Sequence, residues 1–132
     1  MTARIVIYSQ AAIWFVVALM LLAYPVAPIT LFGASYTPFT VTLANIFGAE
    51  LMGLALVSWF TRETTNAVLR RHLLLAYFIC NSLGFLASLW GRLSGALVSA
   101  GWILVALYLL YAVAFAYLRF TPAGRDGDSL SQ

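Results

Sequence analysis

The chain has 132 residues, of which 64% are hydrophobic and only 8% charged, against about a quarter charged in ordinary soluble domains. That length suits one compact domain, and so few charges cannot cover a soluble one, so lipid is expected to do the covering. The net charge of +3 comes from seven arginines, with no lysine, against Glu50, Glu63, Asp126 and Asp128. A nucleic-acid partner would need a clustered basic face, whereas these arginines stand between long apolar runs, so no nucleic acid is expected.

A helix rises about 1.5 Å per residue, so about 20 apolar residues cross the hydrocarbon core. Residues 5–24 form the first such stretch, stopped by Pro25 and Pro28. It follows Arg4 much as a signal peptide would, but its run is too long for an ordinary apolar signal core and no small-x-small cleavage site follows, so it is expected to be retained. Residues 25–38 carry no charge and are fairly apolar, which places them in the interface or folded over the bundle mouth. The second span, 39–60, is entered after Pro38; a polar connection, 61–72, leads to the third, 73–90. A tight turn at 91–96 makes the third span an antiparallel neighbour of the fourth, 97–120, which ends at Thr121 and Pro122. The Gly-, Ser- and Asp-containing tail, 121–132, is predicted to be disordered.

A lone strand in lipid leaves its backbone groups unpaired, so every span is predicted to be a helix. The expected architecture is all-α, an integral membrane four-helix transmembrane bundle over residues 1–120. Arg4, Arg62, Arg70, Arg71, Arg119 and Arg125 fall on one side and only Arg92 on the other. The positive-inside rule then puts both termini in the cytoplasm. Trp59 and Trp90 sit at span ends, where amphipathic rings favour the interface.

Glu50 is the polar residue with most to explain, because it falls near the middle of the second span. An acid at mid-helix costs about 2.5–3.5 kcal/mol to insert. It is expected to face the bundle interior, either as a proton, ion or cationic-ligand group or as a hydrogen-bonding residue that fixes packing. The span midpoints fall near Trp14, Glu50, Asn81 and Tyr108, so one polar-capable residue per helix lies at a similar depth. Tyr77, Asn81, Gly84 and Ser88 share one face of the third helix, and Gly101, Tyr108, Tyr111 and Phe115 lie close to one face of the fourth. Lining up those faces predicts a cluster of Glu50, Asn81 and Tyr108, with Trp14, Asn45 and Tyr111 as further ligand or proton-site candidates.

Helices associate in lipid through small residues that let backbones approach. Ala44 with Gly48, and Ala49 with Gly53, form two small-xxx-small pairs on adjoining faces of the second span, and Gly84 and Ser88 do the same work on the third. They predict helix contact within the chain or between subunits. The single cysteine, Cys80, reads as a core-filling residue, and His72, beside Arg70 and Arg71, as part of the polar interface. No metal site is expected, and no Ser–His–acid set, Cys-x-x-Cys pair, phosphate loop or paired carboxylate suggests a catalytic centre.

The string Phe47-Gly48-Ala49-Glu50-Leu51-Met52-Gly53-Leu54-Ala55-Leu56, followed by Trp59 and Arg62, then Asn81, Gly84, Leu93-Ser94-Gly95 and Gly101-Trp102, resembles the small four-helix bacterial membrane proteins of the DoxX-like and DUF4345-like type. The resemblance extends over most of residues 5–120. It implies a multi-pass protein of the bacterial cytoplasmic membrane with an accessory role, since some DoxX-type members are described as subunits of quinone-linked oxidoreductase complexes. Three functions stay open. The first is a non-enzymatic subunit that assembles with itself or with other membrane subunits, with a lipid or other apolar ligand between helices. The second is a small proton- or cation-coupled transporter using Glu50. The third is a quinone- or isoprenoid-linked membrane enzyme or redox subunit. The residues name no cofactor.

Overall fold

The computed structural model describes residues 3–61, 64 and 66–121, with Ala3 described by its backbone alone. It contains five helices: α1 (Ala3–Ala23), α2 (Val26–Leu31), α3 (Pro38–Thr61), α4 (Ala67–Leu93) and α5 (Gly101–Phe120). All but α2 are long and apolar enough to cross a membrane. The protein is a multi-pass, four-helix bundle, and the four predicted spans are its four long helices. The expected disordered tail lies outside the described residues beyond Thr121.

Two helix starts differ by four residues or more from the sequence reading, each for a local reason. The third long helix starts at Ala67 rather than 73, because the Asn66 side chain accepts from Val68 N and Leu69 N, both at 3.0 Å, and caps it there. Arg70, Arg71 and His72 therefore ride on the first turns of α4. The fourth starts at Gly101 rather than 97: Leu97 folds back over the turn, its N–H bonding Gly91 O at 2.9 Å. A Cβ on Gly101 would stand 2.8 Å from Leu97 Cβ, and one on Gly91 would stand 3.1 Å from Leu97 Cδ1, so both glycines make room for that side chain.

The uncharged segment between α1 and α3 packs against one end of the bundle. Pro28 and Ile29 of α2 are buried. Val98 N donates to Phe32 O at 3.5 Å, joining this loop to the α4–α5 turn. Gly33 has φ +85°, and the Val98 side chain occupies the place a Cβ would take, so only glycine suits this junction. The segment then enters α3 through a reciprocal cap, with Thr40 N donating to Thr37 Oγ1 at 3.2 Å and Thr37 N to Thr40 Oγ1 at 2.9 Å.

The bundle is two hairpins. α1 packs along α3 and α4 along α5, with much slighter contact between the pairs. Small residues permit the first pairing: Ala44, Gly48, Leu51, Ala55 and Ser58 form the buried ridge of α3, and Ala18 of α1 is wholly buried. A Cβ on Gly48 would lie 3.0 Å from Leu21 Cβ and 3.3 Å from Ala18 O. In the second hairpin the Tyr108 ring rests directly on Gly84. The core between the hairpins is aromatic. Tyr77 lies 6.1 Å from Trp14 and 5.2 Å from Phe115, centroid to centroid, and Phe115 is wholly buried.

Candidate functional site

Among the described residues, the Gln10–Asn81, Ser58–Tyr77 and Ser9–Tyr111 side-chain hydrogen bonds cross the same boundary, from hairpin α1–α3 to hairpin α4–α5. Gln10 Nε2 donates to Asn81 Oδ1 at 2.8 Å, and Asn81 Nδ2 donates to Tyr77 O at 2.8 Å. Ser58 Oγ gives its hydrogen to Leu54 O at 2.7 Å, so the Tyr77 hydroxyl, 2.7 Å from Ser58 Oγ, is the donor of that pair. Ser9 bonds Val6 O at 3.0 Å and receives Tyr111 Oη at 3.0 Å. Both Ser–Tyr pairs therefore have one form: a serine tied to its own helix accepts a tyrosine from the other hairpin. Gln10 and Asn81 are almost completely buried, where an unpaired amide would be costly, yet Gln10 Oε1 has no hydrogen-bond partner among the described residues.

Ser9, Gln10 and Ser58 lie in the half of the bundle nearer the arginine-bearing end, and Asn81 and Tyr111 near the middle of α4 and α5. Ser9 and Gln10 stand less than two turns above Arg4, and Ser58 is within one turn of the end of α3. The sequence reading named Asn81, Tyr111 and the Tyr77 face but missed Ser9, Gln10 and Ser58. The available signal was Gln10, an amide inside an apolar run, since intramembrane polar side chains commonly bond across helices.

Glu50 departs from expectation. It is exposed, not inward-facing. The α1-facing side of α3 is taken by the ridge at positions 44, 48, 51, 55 and 58, which turns position 50 about 120° away from it. Nor do Glu50, Asn81 and Tyr108 cluster: Asn81 is bonded to Gln10 and Tyr77, and Tyr108 lies on Gly84. No hydrogen bond among the described residues joins Glu50 to either. Trp14 is a core residue in contact with Tyr77, and Asn45 is exposed.

The two small-residue pairs of α3 part company in the same way. Ala44 and Gly48 are buried against α1, whereas Ala49 is exposed and a Cβ on Gly53 would meet nothing within 4 Å. On α4, Ser88 is buried and its hydroxyl bonds Gly84 O. The outward face of α3 presents Asn45, Ala49, Glu50 and Gly53 among exposed bulky apolar side chains, Leu43, Ile46, Phe47 and Val57. Glu50 stands about 17 Å of helix from either end of α3, at mid-membrane depth.

No protein-family model, curated protein or solved structure matches this chain. Its functional reading therefore rests on these residues. Among the described residues no group of His, Cys, Asp and Glu is arranged to hold a metal ion. Cys80 is a half-buried free thiol, and His72 is exposed on the first turns of α4. At the opposite end, the Arg92 guanidinium lies over the Trp102 ring, 5.6 Å from its centroid, a contact that suits a cation folding back at the membrane edge.

Proposed function

We propose that this protein is a non-enzymatic membrane subunit that assembles, with copies of itself or with another membrane protein, through the outward face of α3. The observation that carries the reading is Glu50, exposed at mid-span beside the open backbone of Gly53. An acid facing lipid at that depth costs about 2.5–3.5 kcal/mol, and a partner helix bearing a hydrogen-bond donor or cation removes much of that cost. Ala49 and Gly53 allow such a helix to approach closely. In keeping with the DoxX-like resemblance, the setting is the cytoplasmic membrane of a bacterium, with both termini inside.

A cation-coupled transporter draws less support, because Asn81 is engaged by Gln10 and Tyr108 by Gly84. Neither stands ready to complete a ligand set with Glu50 inside one chain. A quinone-linked role rests on the resemblance alone.

The reading is tested by native mass spectrometry from mild detergent. Wild-type protein is expected as an assembly, with itself or with a co-purifying subunit. Gly53→Leu leaves the fold intact, since Gly53 touches nothing within the chain, but blocks the face. Glu50→Leu removes an interhelical hydrogen bond and weakens assembly on the order of tenfold, while Glu50→Gln, which keeps a hydrogen-bonding side chain, loses less. A wild-type chain that is monomeric at every concentration, with no companion, ends the proposal.

A further inference from the structure

Arg4, Tyr8, Ala11 and Phe15 follow i, i+4, i+7 and i+11 along one face of α1. Above Tyr8 that face opens into a groove of about 390 Å³ between α1 and α3, lined by Ala11, Ala12, Phe15, Val16, Ala55, Leu56 and Trp59. Of its lining residues Ala11 and Ala55 are buried, and none carries a charge. Its lower end is marked by Trp59 with Tyr8 against it edge-on, ring centroids 5.9 Å apart. Such rings prefer the depth of the lipid headgroups. Arg4, one turn below Tyr8, is exposed, and the sole carboxylate among the described residues is Glu50 at mid-span, so Arg4 has no ion-pair partner among them.

We infer that this groove is a binding site for an anionic phospholipid, with one acyl chain in the groove and the headgroup phosphate against Arg4. Three dimensions of the site agree. From Arg4 to Val16 is about 18 Å of helix, close to the depth of a single leaflet in a core about 30 Å thick. A docked transmembrane helix would need a groove running the full thickness. The volume holds about a dozen groups the size of a water molecule, at roughly 30 Å³ each, the scale of one hydrocarbon chain. The charge is supplied at one end alone, where a phosphate sits when the chain points to mid-membrane. On α3 the groove borders the assembly face, since Leu56 follows Gly53 at i+3 and Ala49 at i+7.

The test uses full-length protein in phosphatidylcholine vesicles containing either phosphatidylglycerol or further phosphatidylcholine with brominated acyl chains. The readout is quenching of Trp59 fluorescence, taken as the difference between wild type and Trp59→Phe. Brominated phosphatidylglycerol is expected to quench Trp59 at about fivefold lower mole fraction than brominated phosphatidylcholine, the effect of one arginine at an anionic surface. Arg4→Gln removes that preference. Arg71→Gln, an exposed arginine on α4, keeps it. Ala12→Leu fills the groove from an exposed position and lowers quenching by both lipids. Equal quenching by the two lipids, or a preference that Arg71→Gln lowers as much as Arg4→Gln, overturns the site in favour of diffuse attraction. Trp59 left unquenched by either lipid overturns it in favour of a protein occupant.

Discussion

Asn81→Leu is expected to destabilise the bundle by about 1–3 kcal/mol, although leucine has the same branched skeleton of four heavy atoms as asparagine. The loss arises because Gln10 keeps its amide in a site where Asn81 Oδ1 accepts from its Nε2 and Gln10 Oε1 already has no partner among the described residues. Without Asn81, neither end of that side chain is satisfied, and a buried unpaired polar group incurs its full desolvation penalty. The double substitution Gln10→Leu/Asn81→Leu then recovers much of the stability, since replacing both partners by apolar groups leaves nothing unpaired. Reversible unfolding in mixed micelles, followed by far-ultraviolet circular dichroism, measures both variants. If the single substitution matched wild type within about 0.3 kcal/mol, the hydrogen bonds between the hairpins would not hold them together.

The second large effect concerns the pairing of α4 with α5. A Cβ on Gly84 would stand 2.5 Å from Tyr108 Cε1 and 2.9 Å from Cζ, inside the ring's van der Waals surface. Gly84→Val must therefore push α5 away or force Tyr108 out of its rotamer, at about 1–3 kcal/mol. Tyr108→Ala in the same chain removes the ring and should rescue the valine, a coupling that a double-substitution cycle reads directly. The half-buried Cys80 offers a second readout, because opening of α4 from α5 raises its rate of alkylation. Gly53→Val serves as the control: with nothing within 4 Å of its Cβ position, it leaves monomer stability unchanged. Equal losses at Gly84 and Gly53 would mean that glycine itself, and not the Tyr108 contact, is what α4 requires.

The two predictions test different ways of holding helices together in lipid. Burying apolar surface gives no driving force when the surroundings are as apolar as the protein, so association rests on close packing and hydrogen bonds. This bundle divides the two. Small residues at Ala18, Gly48 and Gly84 bring helices together within each hairpin, and the Gln10–Asn81, Ser58–Tyr77 and Ser9–Tyr111 bonds join one hairpin to the other. The Phe32–Val98 contact closes the opposite end.

The sequence by itself determined the solvent, the number of spans and the faces of the last two helices. Each follows from a periodic or cumulative property: runs of about 20 apolar residues, arginines gathered at one end, and Tyr77, Asn81 and Ser88 recurring at helical spacing and all buried. It did not determine which side of α3 faces inward. Ala44-Gly48 and Ala49-Gly53 are equivalent small-residue pairs along the chain, and choosing between them depends on whether α1 offers a complementary surface. Ala18, Leu21 and Leu22 packing around Gly48 made that choice. It carried Glu50 outward and left Gln10, not Glu50, as Asn81's partner, because rotating one helix about its axis moves every side chain on it together.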